Sequence, residues 1–596
     1  MGLAIILLIP LYFSSATIFP FVVLKAALVH FGIALVVFGA IFHQLKSAGP
    51  LRISALGVSL LIFLLVSLIS GYLGLSFEQS FFSTFERSQG LYSLFFSAAL
   101  GLSLAATHTN EDIWRNSYRA IVITGSIIAL LALGYFVGLF DVQYLYRDFG
   151  RLAFTAGNAA VFGNYLAILT TLAFALCLAD YRTVSMRVSL LQLGMLGLLL
   201  FALLATGARG GVLAFLVSAV VILFGSALPK KWKLIATAAG SLILLVGIVA
   251  LWDIVGTRLA ESTLNNQSIA YRLDAWQIGW QAIMERPWLG WGQENFIHVF
   301  GQFSSATQIA NETFDAAHNH LIALGVASGA VGLLSYVTIV TIALAVLWRG
   351  LQSTSPLRSG NALLGLSIIL SYQIAAVFLF DNIISQPFFF IALGYCLHLS
   401  TPITVLPSKL KPAIAGIAVL LFVATAVHEI RLYQSSIRLR TVEAVPDWTS
   451  KLIAANEESG GLRQEELIYL FAMKTSAEWR SLSPGHKQEV KQTLEKLIGD
   501  SNILRLNWRT IFNVSNAYLM MVNDYPEVVK NLELLVARTS QLAPERPQSH
   551  RLLAHYFIVT NQPERAKQVL EDYLNKNPKR PRMLEILDRL TPNDAS

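Results

Sequence analysis

The sequence predicts an all-α, polytopic membrane protein with a long loop that carries an amphipathic helix, and a helical-repeat domain at its C-terminus. Three observations carry that expectation. Of the 596 residues, 55% are hydrophobic and 13% are charged, whereas a soluble domain is about a quarter charged. Apolar runs of roughly 20 residues, enough to cross a ~30 Å hydrocarbon core, recur as far as residue 428. Beyond residue 428 hydrophobicity falls and charges come at helical spacing.

About thirteen spans are expected, at 2–19, 26–43, 52–71, 91–107, 119–139, 154–179, 188–205, 210–228, 232–251, 321–348, 361–380, 385–400 and 411–428. The first lacks a basic start and another apolar run follows directly, so it reads as a span, not a removable signal peptide. The chain thus divides into a transmembrane bundle (1–251), a long loop (252–320), further transmembrane helices (321–428) and a helical domain (429–596).

Loop charges orient these spans. Lys46 and Arg52, Arg182 and Arg187, Lys230, Lys231 and Lys233, Arg349 and Arg358, and Lys409 and Lys411 fall in alternate connections. By the positive-inside rule these face the cytoplasm. The other connections then face outward, with Arg87, Arg151, Arg209, the 252–320 loop and Asp381, and so does the tail. The net charge of +8 is therefore an orientation signal, and nucleic acid is not expected as a partner. Cys177 and Cys396 both fall inside apolar spans and read as small buried hydrophobes.

In the tail, Pro544 and Pro578 lie 34 residues apart, the period of a tetratricopeptide (TPR) repeat. Leu553, Ala554, Phe557, Ala566, Leu570 and Tyr573 fill the positions at which two helices of such a unit pack. Solenoids of this kind bind peptides or proteins, so a protein partner through the TPR-like tail is expected.

The loop holds the candidate chemistry. Over residues 271–286, Leu273, Trp276, Trp280, Ile283 and Met284 share one helical face, which suits a membrane–water interface. Pro287 stops that helix, and Gly290 and Gly292 allow a sharp turn. Further on, Asp315, His318 and Asn319 stand just before the apolar span that begins at Leu321. Histidine accepts a proton near neutrality, and Asp315 is close enough in sequence to orient His318. His320 ranks second. Intramembrane charges, which a transporter would need, are nearly absent from the spans.

Taken together, Arg272 and Trp276 (R-x3-W), the RPWLGWGQENF stretch (286–296) and AHNHL with its following Gly329 and Gly332 resemble the O-antigen ligase and O-antigen polymerase family. That family includes bacterial protein O-oligosaccharyltransferases. FERSQGL (85–91), RLAFTAGNAAVFGNYL (151–166) and TGARGG (206–211) are similar to further segments of it, so the resemblance covers roughly residues 1–400. It implies a glycosyltransferase without metal or cofactor in the bacterial cytoplasmic (inner) membrane. The donor would be a glycan on undecaprenyl diphosphate at the outer face. The acceptor would be a hydroxyl on a lipid, glycan or protein, attacked with inversion; ligase, polymerase and protein transferase differ in this acceptor.

The residue types suit that chemistry. Arginine forks grip diphosphate oxygens and stay charged near a low-dielectric membrane. Arg209 and Arg272 are expected to bind the diphosphate and stabilise its departure. Arg87 and Arg151 assist or position the donor, and His318 activates the acceptor hydroxyl with support from Asp315 or Asn319. A transporter of lipid-linked glycans is the alternative from another class.

Overall fold

The computed structural model describes residues 1–46, 51–142, 145, 150–231, 233–234, 267–304, 313–407, 409, 411–441, 452, 464–500, 506–578 and 580–590. The span expected at 232–251 lies almost wholly outside them, as do residues 252–266 and 305–312 of the loop.

The described chain is helical. The bundle comprises α1 (Gly2–Leu7), α2 (Val23–Lys46), α3 (Ala55–Leu73), α4 (Phe77–Phe82), α5 (Leu91–Thr107), α6 (Glu111–Phe136), α7 (Ala159–Asp180), α8 (Met186–Ala205) and α9 (Arg209–Gly225). The loop supplies α10 (Gln267–Glu285) and α11 (Phe296–Phe303). Then come α12 (His320–Leu351), α13 (Pro356–Ala376), α14 (Gln386–Leu399) and α15 (Lys411–Thr441). Eight of these, α2, α3, α6, α7, α8, α12, α13 and α15, are long and apolar enough to cross a membrane; α5, α9 and α14 are shorter apolar helices. The apolar run at 2–19 does not form one span. It is a six-residue helix followed by a 3-10 turn at Ile9–Leu11, because Pro10 lacks the N–H that would continue the helix.

Helices α7 and α13 form the centre, each 78% buried over its apolar window, whereas α8 and α15 are 22% and 17% buried. In a bilayer the outer pair therefore presents apolar side chains to lipid. Helix α7 packs on α8, α9 and α13, while α12 packs on α3, α14 on α5, and α15 on α2.

Loops of alternate connections meet at the same end of the bundle. At one end Leu51–Ser54 and Pro402–Leu406 pair as antiparallel strands β1 and β2, and Lys411 Nζ donates to the Gln44 carbonyl at 2.9 Å. There too Arg115 donates to Asp180 (2.5 Å) and to Asn361 Oδ1 (2.6 Å), and Asn361 Nδ2 donates to Glu111 (2.8 Å). Arg87, Arg151, Arg209 and residues 286–304 and 313–319 gather at the other end.

Helix α12 is broken near its start. Gly329 has φ 62° and ψ −164°, a conformation nearly confined to glycine. The break leaves the Val326 and Ala327 carbonyls without helical donors. The RPWLGWG turn fills the gap: Trp291 N–H donates to Val326 O at 2.8 Å and Gly292 N–H to Ala327 O at 2.9 Å. In return Ala330 N–H donates to Pro287 O at 2.7 Å and Val331 N–H to Trp288 O at 3.3 Å. A Cβ on Gly329 would stand 2.3 Å from the Trp288 carbonyl. Gly329→Val should therefore cost about 2–5 kcal/mol through backbone strain and overpacking, read as a lower melting temperature in detergent.

Helix α10 turns its small residues to the protein and leaves most of the apolar row expected at a membrane–water interface outward. Ala275, Ile278 and Ala282 are buried, and Gly279 lies against Ile322 of α12. Leu273 (54%), Trp280 (61%) and Met284 (62%) are exposed, as is Trp288 (71%) just beyond the helix. Small residues allow the close helix–helix approach, and the large apolar row is left for lipid.

The chain after α15 forms α16 (Gln464–Glu478), α17 (Pro484–Asp500), α18 (Trp508–Met521), α19 (Val529–Leu542), α20 (Pro547–Val559), α21 (Pro563–Lys576) and α22 (Pro581–Leu590). It docks on the loop end of the bundle. Arg546 lies over the rings of Phe300 (5.0 Å) and Trp508 (4.5 Å), and its Nη1 donates to Ser304 Oγ at 3.2 Å. Phe85 N–H donates to Glu466 Oε2 at 2.7 Å.

Candidate functional site

The site is assembled from segments that the helix starts hold in place. Asn319 caps α12: its Oδ1 accepts from Leu321 N–H (3.0 Å) and Ile322 N–H (3.2 Å). This satisfies two orphan donors of the first turn and sets where the helix begins. His318, immediately before it, has φ 51°. A non-glycine residue in this region is uncommon, and such strain clusters at functional sites. Glu294, at φ 60°, is a second case in the same neighbourhood.

The His318 ring stands edge-on to Phe314 (centroids 5.2 Å apart) and to Phe380 (5.4 Å). Among the described residues neither ring nitrogen has a hydrogen-bond partner. Burial, then the positive charge of Arg87, push the imidazole down to about 4 against an opposing pull from Asp315; Arg272 adds a smaller push downward. His318 is therefore neutral at pH 7 and able to accept a proton.

Two sets of arginines flank it. On one side Arg151 Nε donates to the Thr206 carbonyl at 2.9 Å, and Leu152 N–H donates to Ala205 O at 3.1 Å. These bonds fasten the arginine to the TGARGG turn. That turn seats on α7, where Gly163 and Gly211 allow backbone contact. Asn158 caps α7 through Ala160 N–H (2.8 Å) and Val161 N–H (3.3 Å), which gives the first asparagine of GNAAVFGN a local purpose. Arg209 is exposed at the first position of α9, where the helix dipole adds to its positive field. Burial, and then the charges of Arg209 and Arg151, lower the Arg272 guanidinium. The three arginines are thus near neighbours that repel one another, an arrangement stabilised by a multivalent anion.

On the other side Arg87 forks onto Asp315, with Nε donating to Oδ2 at 2.7 Å and Nη2 to Oδ1. Its guanidinium lies 3.5 Å over the Phe380 ring. Burial pushes the Asp315 carboxyl up, but the Arg87 charge and its hydrogen bonds outweigh this and hold it below the usual range. Asp315 is thus bonded to Arg87, while its influence on His318 is through charge. Arg87 sits in a loop whose neighbour Ser88 accepts on its carbonyl from Ser93 Oγ at 2.7 Å.

Beside this pair opens a small cleft lined by Arg87, Gln293, Glu294, Asp315, His320 and Asp381, among others. Glu294 accepts from Ser83 Oγ at 3.0 Å, and burial raises its carboxyl despite the Arg87 charge. Among the described residues there is no group of three or more His, Cys, Asp or Glu side chains placed to hold a metal ion.

The seven residues expected from sequence therefore fall into one region around His318: Arg151, Arg209 and Arg272 on one side, Arg87 with Asp315 on the other, and Asn319 beneath as a cap. Sequence reasoning missed Glu294 and Phe380, and it placed Asp381 in an outward connection without a role in the site. Glu294 stands within RPWLGWGQENF, so its signal was present; Phe380 had none, because an aromatic at a helix end is common in membrane proteins.

No curated protein matches the chain. Residues 194–337 match the family model described as O-Antigen ligase. The matched segment holds Arg209, Arg272, the 286–296 turn, Asp315, His318, Asn319 and the Gly329 break. The chain is an all-α integral membrane protein whose central segment, the part that carries most of this site, is similar to the O-antigen ligase family.

Proposed function

We propose that the chain is a membrane glycosyltransferase that moves a glycan from undecaprenyl diphosphate to an acceptor hydroxyl. The reaction takes place at the outer face of the bacterial cytoplasmic membrane, inverts the anomeric carbon and needs no metal. The observation that carries this reading is His318, an imidazole within the charge influence of Arg87, Asp315 and Arg272, with Arg209 and Arg151 acting in turn on Arg272.

Arg272, Arg209 and Arg151 take the diphosphate and stabilise the charge that develops as it leaves. The bond from the anomeric carbon to the diphosphate oxygen breaks, and the acceptor oxygen bonds to that carbon. The acceptor proton passes to His318. Arg87, committed to Asp315 and Phe380, keeps the carboxylate beside the imidazole, where its charge stabilises the protonated form. Asn319 fixes the height of His318 by capping the helix beneath it.

Residues 429–596 are read as an extracytoplasmic TPR-like domain. Its support is the pairing of α20 with α21 around the buried Ala554 and Ala566. A protein partner on this domain, and a lipid, glycan or protein as acceptor, complete the reading. The test uses full-length protein in detergent with undecaprenyl-diphosphate-linked glycan and EDTA. The acceptors are lipid A-core, the donor itself and a Ser/Thr-rich protein. Transfer that survives EDTA and releases undecaprenyl diphosphate is the expected result. Movement of the lipid across liposomes without transfer to any acceptor would replace this reading with a transporter.

A further inference from the structure

His318 has neighbours that lead away from the bundle. Phe314, edge-on to the His318 ring, is also edge-on to Phe300 (centroids 5.6 Å apart) and to Tyr271 (6.2 Å), which precedes Arg272. Such edge-to-face pairs fix the orientation of both rings. Phe300 belongs to α11 and is fully buried. Over its ring lies the guanidinium of Arg546. One line of contact therefore runs from the C-terminal domain to the candidate base, through Arg546, Phe300, Phe314 and His318.

Arg546 is 1% exposed, and arginine is almost never buried so far unless it is paired. Its cation lies over Trp508 as well as Phe300, and it bonds to Ser304 at the end of α11. A desolvated cation is held on a ring face more strongly than an exposed one. Trp508 seats in turn on Gly301 of α11, where a Cβ would stand 2.1 Å from its Cδ1. Helix α11 packs on α18 and α19 of the tail as well as on α10 and α12.

The loop draws on that support. Its apolar cluster, with Ile278, Trp291, Phe296, Phe300 and Ala317, is separate from the core of the bundle, and a small core is marginal by itself. The Pro287–Gly292 turn fastens this cluster to the break in α12, and the tail fastens it at α11. The same domain reaches the Arg87 side. Phe85, two residues before Arg87, is buried in one apolar cluster with Leu467 and Phe471 of α16, and its N–H is bonded to Glu466. The tail thus grips both chain segments that meet at the Arg87–Asp315 pair.

We propose that Arg546 is a positioning residue of the site: it holds Phe300 and Phe314 and through them seats the His318 ring, so that the C-terminal domain is a structural part of the site. The seating of His318 stands apart from the glycosyltransfer reading; only its kinetic consequence rests on that reading.

The test compares full-length wild type in detergent with Arg546→Met, which keeps side-chain length without the charge, and with Gly301→Ala, which wedges α11 from Trp508 and reads the same contact should Arg546→Met fail to fold. Arg589→Ala, on the exposed face of α22, is the control within the tail. Diethyl pyrocarbonate acylates unprotonated imidazoles, and peptide mass spectrometry reads His318 separately from His108, which follows α5 at the opposite end of the bundle. The His318 rate should rise about threefold or more in both variants as local protection is lost, with His108 unchanged and Arg589→Ala like wild type. Transfer should show kcat lower by about 10–10²-fold with donor KM little changed, the cost of a misplacement of about 1 Å. Its acid limb should move upward from about pH 4, because a loosened ring regains water while Arg87, Asp315 and Arg272 still act on it. An unchanged His318 rate in a folded variant overturns the proposal. A rise shared by His108 overturns it too, since Arg546 would then serve folding alone. Absence of transfer by wild type, with the His318 rate still raised in the variants, would remove the glycosyltransfer reading and leave the positioning role standing.

Discussion

His318→Ala should reduce glycan transfer by about 10²–10⁴-fold while donor lipid still binds, since a positioned general base contributes about that factor. The variant leaves the arginine cluster and the Asn319 cap intact, so the loss should appear in kcat with little change in the donor KM. The pH dependence supplies an independent signature. The base works only unprotonated, and burial with the Arg87 charge places its titration near pH 4. In wild type kcat/KM should be flat from about pH 5 to 7 and fall below that as the imidazole takes up a proton. An acid limb near the ordinary histidine value of about 6.5 would mean that the ring is not held as described. Full activity in a folded His318→Ala protein would remove the imidazole from the chemistry.

Arg272→Ala is expected to lower kcat by about 10²–10³-fold, the scale of losing one preorganised donor to developing charge. Arg272→Lys should recover only a small part of this, because a point charge cannot fork onto two oxygens. A second effect has a defined sign. Arg272 contributes to keeping His318 deprotonated, so its removal should move the acid limb upward toward 6.5, whereas Asp315→Asn should move it down. Measuring the residual activity of Arg272→Ala across pH 3.5–7 checks this. An unmoved limb with kcat lost would separate leaving-group stabilisation from any influence on the base.

Much of this site was legible because its chemistry needs residue types that a membrane span otherwise avoids. Arg209, Arg272 and His318 stand out against an apolar background, and the alternation of loops brought them to one end before any contact was known. The pairing of Arg87 with Asp315 was not legible, since 228 residues separate them and an ion pair leaves no local pattern. The Gly329 break was hidden inside an apolar run that reads as one span; its reason lies in the Pro287–Gly292 turn, forty residues upstream in reach. The outward row of α10 was legible in Leu273, Trp280 and Met284, whereas its protein contact through Ala275, Gly279 and Ala282 was not, because such small residues leave little amphipathic signal. The failure of 2–19 as a span has a local cause, Pro10.

That outward row on α10 bears on how the reactants are aligned. Leu273, Trp280 and Met284 are exposed on the same helix that carries Arg272, with Trp288 exposed just beyond its end. Tryptophans settle at the boundary between headgroups and acyl chains, so the bilayer surface acts as a waterline for this helix. In the proposed reaction the donor's diphosphate rides at that same level, pinned by its own polyprenyl tail. Enzyme and substrate are then levelled by a common reference outside the protein. The search for one another is reduced to two dimensions, and the vertical coordinate is supplied by the lipid.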